Sequence, residues 1–191
     1  METAIPILVV LGAAVLLPVV FLIGNFNRFV RVRQHIRESW SDVEVELKRR
    51  YELVPNLVET VRGYAAHERA VLERVIELRN RAIANHGTAG EQSVDETALQ
   101  FGVKQLFAVV EGYPQLKADA HFLALQEELA NCEDRIAAAR RFFNANVRDM
   151  NQLCESFPSS LVAGMFGFER ATYFELSDEA ERVVPRVELA V

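Results

Sequence analysis

Few side chains in this sequence have the type and spacing that acid–base or metal chemistry requires. The chain has 191 residues, with four histidines and two cysteines. A di-iron site in a helical bundle is built from Glu-x-x-His pairs, and no histidine here has a Glu three positions before it. His67-Glu68 begins like the zinc motif His-Glu-x-x-His, but Val71 occupies the place of the second histidine.

Other catalytic motifs are also missing from the sequence. It has no phosphate-binding P-loop and no Gly-x-Ser-x-Gly nucleophile motif, and the close pair Gly164 and Gly167 does not follow a predicted strand. We therefore expect no catalytic site, no cofactor and no bound metal. The alternative, of a different class, is a metal-dependent enzyme or regulator that uses Glu59, His67 and Glu68 on one face of a helical bundle.

The two cysteines are typical of a protein in a reduced compartment. Cys132 and Cys154 lie 22 positions apart in one predicted helix. They are therefore separated by about 33 Å, at about 1.5 Å per residue, which is too far for an intrachain disulfide. Neither has a Cys or His at zinc-ligand spacing, so we expect both to be small core residues.

Charge is distributed unevenly along the chain. Lys and Arg total 21 and Asp and Glu total 27, and the net charge of −6 argues against a generally basic nucleic-acid-binding surface. Residues 3–27 carry no charge, whereas all of the Lys and Arg residues lie from Arg28 onward. We therefore expect no nucleic-acid partner and a separate role for the uncharged start.

That uncharged start contains an apolar run of 21 residues, Ala4–Gly24. As a helix it would be about 31 Å long, which matches the hydrocarbon thickness of a bilayer. The acidic start and the polar end of the run do not resemble a cleaved signal peptide. Residues 1–27 are therefore predicted to be a short outer segment and a single transmembrane helix, with a buried core helix as the alternative.

Basic residues follow this run and none precedes it, which predicts an N-terminus outside and the remaining chain in the cytoplasm. The residues at issue are Arg28, Arg31, Arg33 and Arg37. They would lie at the depth of anionic headgroups, where each contributes about 1 kcal/mol. Either they contact lipid headgroups specifically or they only set the topology.

The rest of the chain carries the apolar periodicity of long helices, so the predicted fold is all-α. One helix is expected from about Asp119, as N-cap, to Glu155, with Asn146 as its polar interruption. Another is expected over Asn25–Val54, ending or bending at Pro55, where a new helix starts. A single helix that is kinked at Pro55 is the alternative.

Turn signals divide the remaining helices. Residues 86–90 are predicted to be a loop, and Ser93 with Glu96 is predicted to be the capping box that opens a third helix. Gly112-Tyr113-Pro114 would close it. Residues 28–158 are thus predicted to form an up-and-down four-helix bundle.

The C-terminal segment, residues 159–191, is rich in aromatic residues but shows no helical period. We expect these side chains to pack back on the bundle, or else to contact another subunit or the membrane surface. The segment ends with Ser177–Val191, which has an N-cap serine and an alternating tail. The large apolar side chains are Met165, Phe166, Phe168, Tyr173 and Phe174.

Three stretches of the chain resemble the LemA family. Residues 40–64, WSDVEVELKRRYELVPNLVETVRGY, resemble its signature, and so do QEEL followed by DRIAAAR over 126–140 and ESFP followed by GMFGF over 155–168. The resemblance extends over about residues 25–176. It implies one membrane helix, a cytoplasmic helical bundle and a location in the bacterial inner membrane, in a family that includes relatives linked to magnetosome membranes. It implies no reaction.

Together these features predict a membrane-anchored, non-enzymatic structural or interaction protein. Its expected partners are membrane lipids with anionic headgroups, further copies of the chain in a homo-oligomer, and an unidentified protein recruited to the cytoplasmic face. The alternative within this class is an oligomeric protein that remodels the membrane.

Overall fold

The structure is a computed structural model that describes residues 4–176, with side chains from residue 12 onward. This part of the chain contains helices and no strand, which confirms the all-α class there. The up-and-down four-helix order stays a prediction, and the predicted Ser177–Val191 tail lies outside the described residues. The helices are α1 (Ala4–Arg62), α2 (Arg69–Ala84), α3 (Ala89–Val110), α4 (Pro114–Lys117), α5 (Ala120–Glu155) and α6 (Ser159–Phe166).

Helix α1 runs without interruption through Pro55, so the predicted break there is wrong and a single helix is correct. The separate helix start predicted near Asn25 is wrong for the same reason. Proline has no N–H to donate to the carbonyl four residues earlier, which belongs to Tyr51. The Nε–H of Arg79 donates to that carbonyl at 2.9 Å instead. A side chain from α2 therefore replaces the missing main-chain hydrogen bond.

Helix α3 begins earlier than the sequence pattern predicts. Thr88 is its N-cap and forms a capping box with Glu91, so the predicted box of Ser93 and Glu96 is wrong. Ser93 donates instead to the Gly90 carbonyl at 2.7 Å, inside the first turns of the helix. The hydrogen bond from the Thr88 main chain lowers the pKa of the Glu91 carboxyl. The end of α3 at Val110 agrees with the predicted turn.

Helix α5 has the predicted extent, and its N-cap is confirmed. An oxygen of Asp119 accepts the main-chain N–H of Phe122 at 2.9 Å. That hydrogen bond, together with one from the Tyr64 hydroxyl, lowers the pKa of the Asp119 carboxyl.

Helix α6, like the four-residue α4, is an element that the sequence pattern missed. Ser159 donates to the carbonyl of Leu153 at 2.8 Å, which fixes the turn into α6. Gly167 closes the helix with φ at +68°, and the N–H of Phe168 donates to the Ala163 carbonyl at 3.0 Å. The expectation that no helical order follows Pro158 is therefore wrong.

The chain forms two compact units. Among the described residues, the N-terminal unit joins residues 4–41 with Phe142–Ala171, and the central unit joins Asp42–Arg141 with residues 172–176. A buried apolar cluster forms the core of the N-terminal unit: Phe29, Met150, Leu153, Val162, Ala163 and Phe168. The core of the central unit includes Val43, Leu47, Leu57, Leu72, Val75, Leu99, Leu106, Phe122, Leu129 and Ile136.

Polar contacts and close packing fix the elements within each unit. In the N-terminal unit, the Asn146 amide donates to the Ser39 hydroxyl at 3.1 Å, so the polar interruption of α5 has a specific partner on α1. In the central unit, α2 and α3 approach closely at Gly102. A Cβ there would lie 2.8 Å from Leu78 Cδ1, so glycine permits this contact.

Candidate functional site

Residues 12–20 of α1 present exposed apolar side chains. Within the described residues, only α1 is long and apolar enough to cross a membrane, by length and composition. Apolar surfaces of this extent are rarely left in water, so this segment needs an apolar environment. Its exposed side chains include Val15, Leu16, Leu17, Val20 and Ile23.

The end of this apolar segment packs against α6, within the N-terminal unit. Leu22 is half-buried against the core cluster that contains Val162. The ring of Phe26 meets Phe166 edge-on at 4.9 Å between centroids. Phe29 stacks on Phe168 at 4.5 Å, with the two planes 15° apart. The apolar segment is therefore continuous with a folded core at one end.

The four arginines that follow the apolar segment all expose their side chains. At about 100° per residue, Arg28 and Arg31 share one side of α1 and Arg33 and Arg37 share another. Over the described chain, none of the four forms an ion pair with an acidic side chain. The guanidinium of Arg33 lies 4.5 Å above the Phe168 ring, in cation–π geometry. This arrangement surrounds the helix with positive charge.

The predicted C-terminal aromatic set divides between the two units. Met165, Phe166 and Phe168 lie in the N-terminal unit, where the first two are exposed and Phe168 is buried. Tyr173 and Phe174 lie in the central unit, where Phe174 is fully buried. These five residues therefore do not share one environment.

A buried charge network, which the sequence analysis missed, lies in the central unit. Arg50 is fully buried, its Nη1 donates to Glu133 at 2.9 Å, and its Nη2 pairs with the buried carboxylate of Glu96. The hydroxyl of Tyr51 donates to the second oxygen of Glu96, and the Gln92 amide donates to that oxygen at 2.7 Å. The network thereby joins α1, α3 and α5.

The electrostatics of this network suit a structural role. Burial lowers the pKa of the Arg50 guanidinium, but Glu133 and Glu96 outweigh burial and leave that pKa raised. Burial, with the nearby Glu96 charge, raises the pKa of the Tyr51 hydroxyl. Both groups therefore stay protonated at neutral pH and offer no proton-transfer chemistry. The sequence signal that could have indicated this network is Glu96, a charged residue that lies in phase with Leu99 on the apolar side of α3.

The residues of the metal-site alternative are not assembled by the structure. Glu59 is exposed and pairs with Arg62 at 2.6 Å. Among residues 4–176, no three His, Cys, Asp or Glu side chains come close enough together to hold a metal ion. The structure thus does not bring Glu59, His67 and Glu68 together as a ligand set.

Both cysteines are free thiols, as the sequence predicts. Cys132 is buried, and its Sγ lies 3.4 Å from the Glu46 carbonyl. Burial, with the Glu133 charge beside it, raises the pKa of this thiol to about 11. Burial also raises the pKa of the half-buried Cys154 thiol. Neither thiol has the lowered pKa that is typical of a reactive nucleophile.

Comparisons with known proteins extend over most of the chain. A sequence model of the LemA family matches residues 39–189. The magnetosome protein MamQ of Magnetospirillum gryphiswaldense is 26% identical over 197 residues, which covers 88% of this chain and 72% of that protein. Magnetosome protein MamQ 2 of Paramagnetospirillum magneticum is also 26% identical, with 81% and 66% covered. Protein LemA of Metamycoplasma hominis is 24% identical, with 84% and 73% covered.

Proposed function

Because the chain belongs to the LemA family, we propose that it is a membrane-anchored, non-enzymatic protein. It presents its helical central unit at the cytoplasmic face of the bacterial inner membrane. There the central unit binds further copies of the chain or a protein partner. The observation that carries this proposal is the exposed apolar segment of α1.

The exposure of the apolar side chains supports the anchor. A core helix of a water-soluble protein buries its apolar side chains, whereas those of residues 12–20 are exposed throughout. Lipid chains supply the cover that the protein does not. The same helix then continues to Arg62 without a break.

The arginines support the orientation. Positively charged residues accumulate on the cytoplasmic side of a membrane helix. Arg28, Arg31, Arg33 and Arg37 surround α1 just after the apolar segment, at the depth of anionic headgroups. The names of the relatives describe no reaction, in keeping with a non-enzymatic role.

Labelling of single cysteines tests the topology. In a chain with Cys132→Ala and Cys154→Ala, we expect Thr3→Cys to react with an impermeant maleimide in intact cells. Glu128→Cys, on the exposed side of α5, should react only after lysis. Recovery of the chain in carbonate-washed membranes is the control for anchoring. Reaction of Glu128→Cys in intact cells would contradict the orientation, and release by carbonate would contradict the anchor.

A surface on α3 favours self-association. Val94 and Phe101 are each 61% exposed, and their spacing of two helical turns places them on one side of α3. Apolar side chains in such an arrangement are typical of contacts between proteins.

We therefore expect light scattering of the full chain in detergent to give a particle mass above that of one chain. The double variant Val94→Ser/Phe101→Ser should lower this mass, because it removes the apolar contact. Leu123→Ser, at an exposed position on α5, is the matched control and should leave the mass unchanged. A single-chain mass for the unaltered protein would contradict self-association and leave recruitment of a different protein as the role of the central unit.

A further inference from the structure

Helix α6 exposes one apolar face and buries the other. Leu161 and Met165, one turn apart on α6, are 58% and 65% exposed, and Phe157, in the turn that precedes α6, is 81% exposed. Val162 and Ala163 on the other side are buried in the core of the N-terminal unit. Leu161 and Met165 lie four positions apart on α6 and therefore form one exposed stripe, and Phe157 lies in the turn just before it.

This stripe adjoins the end of the apolar segment of α1. Leu22, inside the predicted transmembrane run, packs against the core cluster to which α6 contributes Val162. Phe26, two residues beyond that run, contacts the ring of Phe166. Helix α6 therefore lies beside the part of α1 where the apolar run ends and polar residues begin.

Helix α6 lies in an uncharged stretch of the chain that ends abruptly at charged residues. Residues 156–168 contain no charged side chain. Immediately outside, Glu155 and Arg170 form an exposed ion pair at 3.1 Å. On α1, the guanidinium of Arg33 lies over the Phe168 ring, at the edge of the same uncharged surface. The uncharged stretch thus ends at charged residues of both signs, Glu155, Glu169 and Arg170, as fits the boundary between acyl chains and polar headgroups.

We propose that Phe157 and α6 form an interfacial membrane element, with the stripe inserted into the inner leaflet beside the transmembrane segment. This inference rests on the proposed function, because it requires α1 to cross the bilayer. Lipid is the occupant that the contacts favour. The same lipid that covers the exposed side of α1 near Leu22 and Phe26 reaches the adjacent stripe without a second binding partner. The N-terminal unit is thus held at the membrane by two elements instead of one.

Depth-dependent fluorescence quenching tests this placement in the full chain. Single tryptophans would be introduced by Leu161→Trp or Met165→Trp in a Trp40→Phe background. The chain would be reconstituted in phosphatidylcholine and phosphatidylglycerol vesicles whose acyl chains carry bromine either near the headgroup or near the chain end. Two reference variants are Val15→Trp, within the apolar segment, and Leu123→Trp, at an exposed position on α5.

For an interfacial helix, bromine near the headgroup should quench Leu161→Trp and Met165→Trp several-fold more than it quenches Leu123→Trp. Val15→Trp should be quenched most by bromine near the chain end. Quenching of Val15→Trp without quenching at 161 and 165 would overturn the interfacial placement and leave the anchor intact. Absence of quenching at all positions would overturn the anchor as well. A blue-shifted but unquenched emission at 161 that depends on protein concentration would assign the stripe to a second copy of the chain and overturn the proposal.

Discussion

Replacing Glu96 by glutamine is expected to lower the free energy of unfolding by about 3–5 kcal/mol, because it removes the fully buried one of the two carboxylates that pair with a buried guanidinium. Arg50 and Glu96 are both fully buried, whereas the second partner, Glu133, is partly exposed. Glutamine keeps the volume of the side chain, removes its charge and replaces one acceptor oxygen by an NH2 donor. The loss therefore measures electrostatics and not a cavity.

Urea unfolding of the full chain in detergent, followed by far-ultraviolet circular dichroism, measures this change. Glu111→Gln is the matched control, since Glu111 pairs with Lys117 at 2.5 Å but both side chains are exposed. We expect less than about 1 kcal/mol for that exposed pair. The double replacement Arg50→Met/Glu96→Leu should recover part of the loss, because no unpaired charge remains between them. Equal effects of Glu96→Gln and Glu111→Gln would refute the role assigned to the buried network.

Phe168→Ala is expected to destabilise the N-terminal unit by about 3–5 kcal/mol, the usual cost of a large cavity in a core. Phe168 is only 7% exposed and contacts both Phe29 and Arg33. Its neighbour Phe166 is 49% exposed. We expect Phe166→Ala to cost less than half as much, because much of its ring is already uncovered.

The two variants are best compared by thermal unfolding in the same detergent, with particle mass measured in parallel. Phe168→Ala should lower the unfolding temperature and leave the particle mass of the folded protein unchanged. A loss of particle mass without a loss of stability would assign Phe168 to a subunit contact instead of its own core. Similar destabilisation by both variants would show that exposure does not separate their roles.

Long helices were predictable from this sequence because periodic apolar residues and local caps specify them. Asp119 illustrates this, since its side chain caps α5 through a hydrogen bond only three residues away. The continuity of α1 at Pro55 was not predictable in the same way. It depends on Arg79, whose guanidinium reaches Tyr51 from a different helix. No pattern local to Pro55 contains that information.

The start of α3 shows how two local signals compete. Both Thr88 with Glu91 and Ser93 with Glu96 fit the spacing of a capping box. The second pair fails because Glu96 has a stronger partner in the buried Arg50, which lies 46 positions earlier in the chain. An ion pair between residues that are distant in the chain therefore accompanies a start of α3 that the local capping signals left ambiguous.

The candidate membrane-facing residues were predictable only in part. The uncharged run and the four arginines are visible in composition alone. The stripe on α6 was hidden, because an eight-residue helix with apolar residues on both faces shows no clear period. Its core contacts with Phe29 distinguish the buried side from the exposed one.

The N-terminal unit is built from two segments that are synthesised at different times during translation. Its two halves are distant in the chain: Asn146 donates to the His35 carbonyl, 111 positions earlier. At about 5–20 residues per second, the first half waits several seconds on the ribosome before its partner emerges. For the membrane anchor that we propose, the hydrophobic start of α1 would reach the membrane-insertion machinery while Phe29 still lacks the helices that bury it. Insertion would then precede the folding of this unit, and the bilayer would shield the nascent segment from aggregation until α5 and α6 are synthesised.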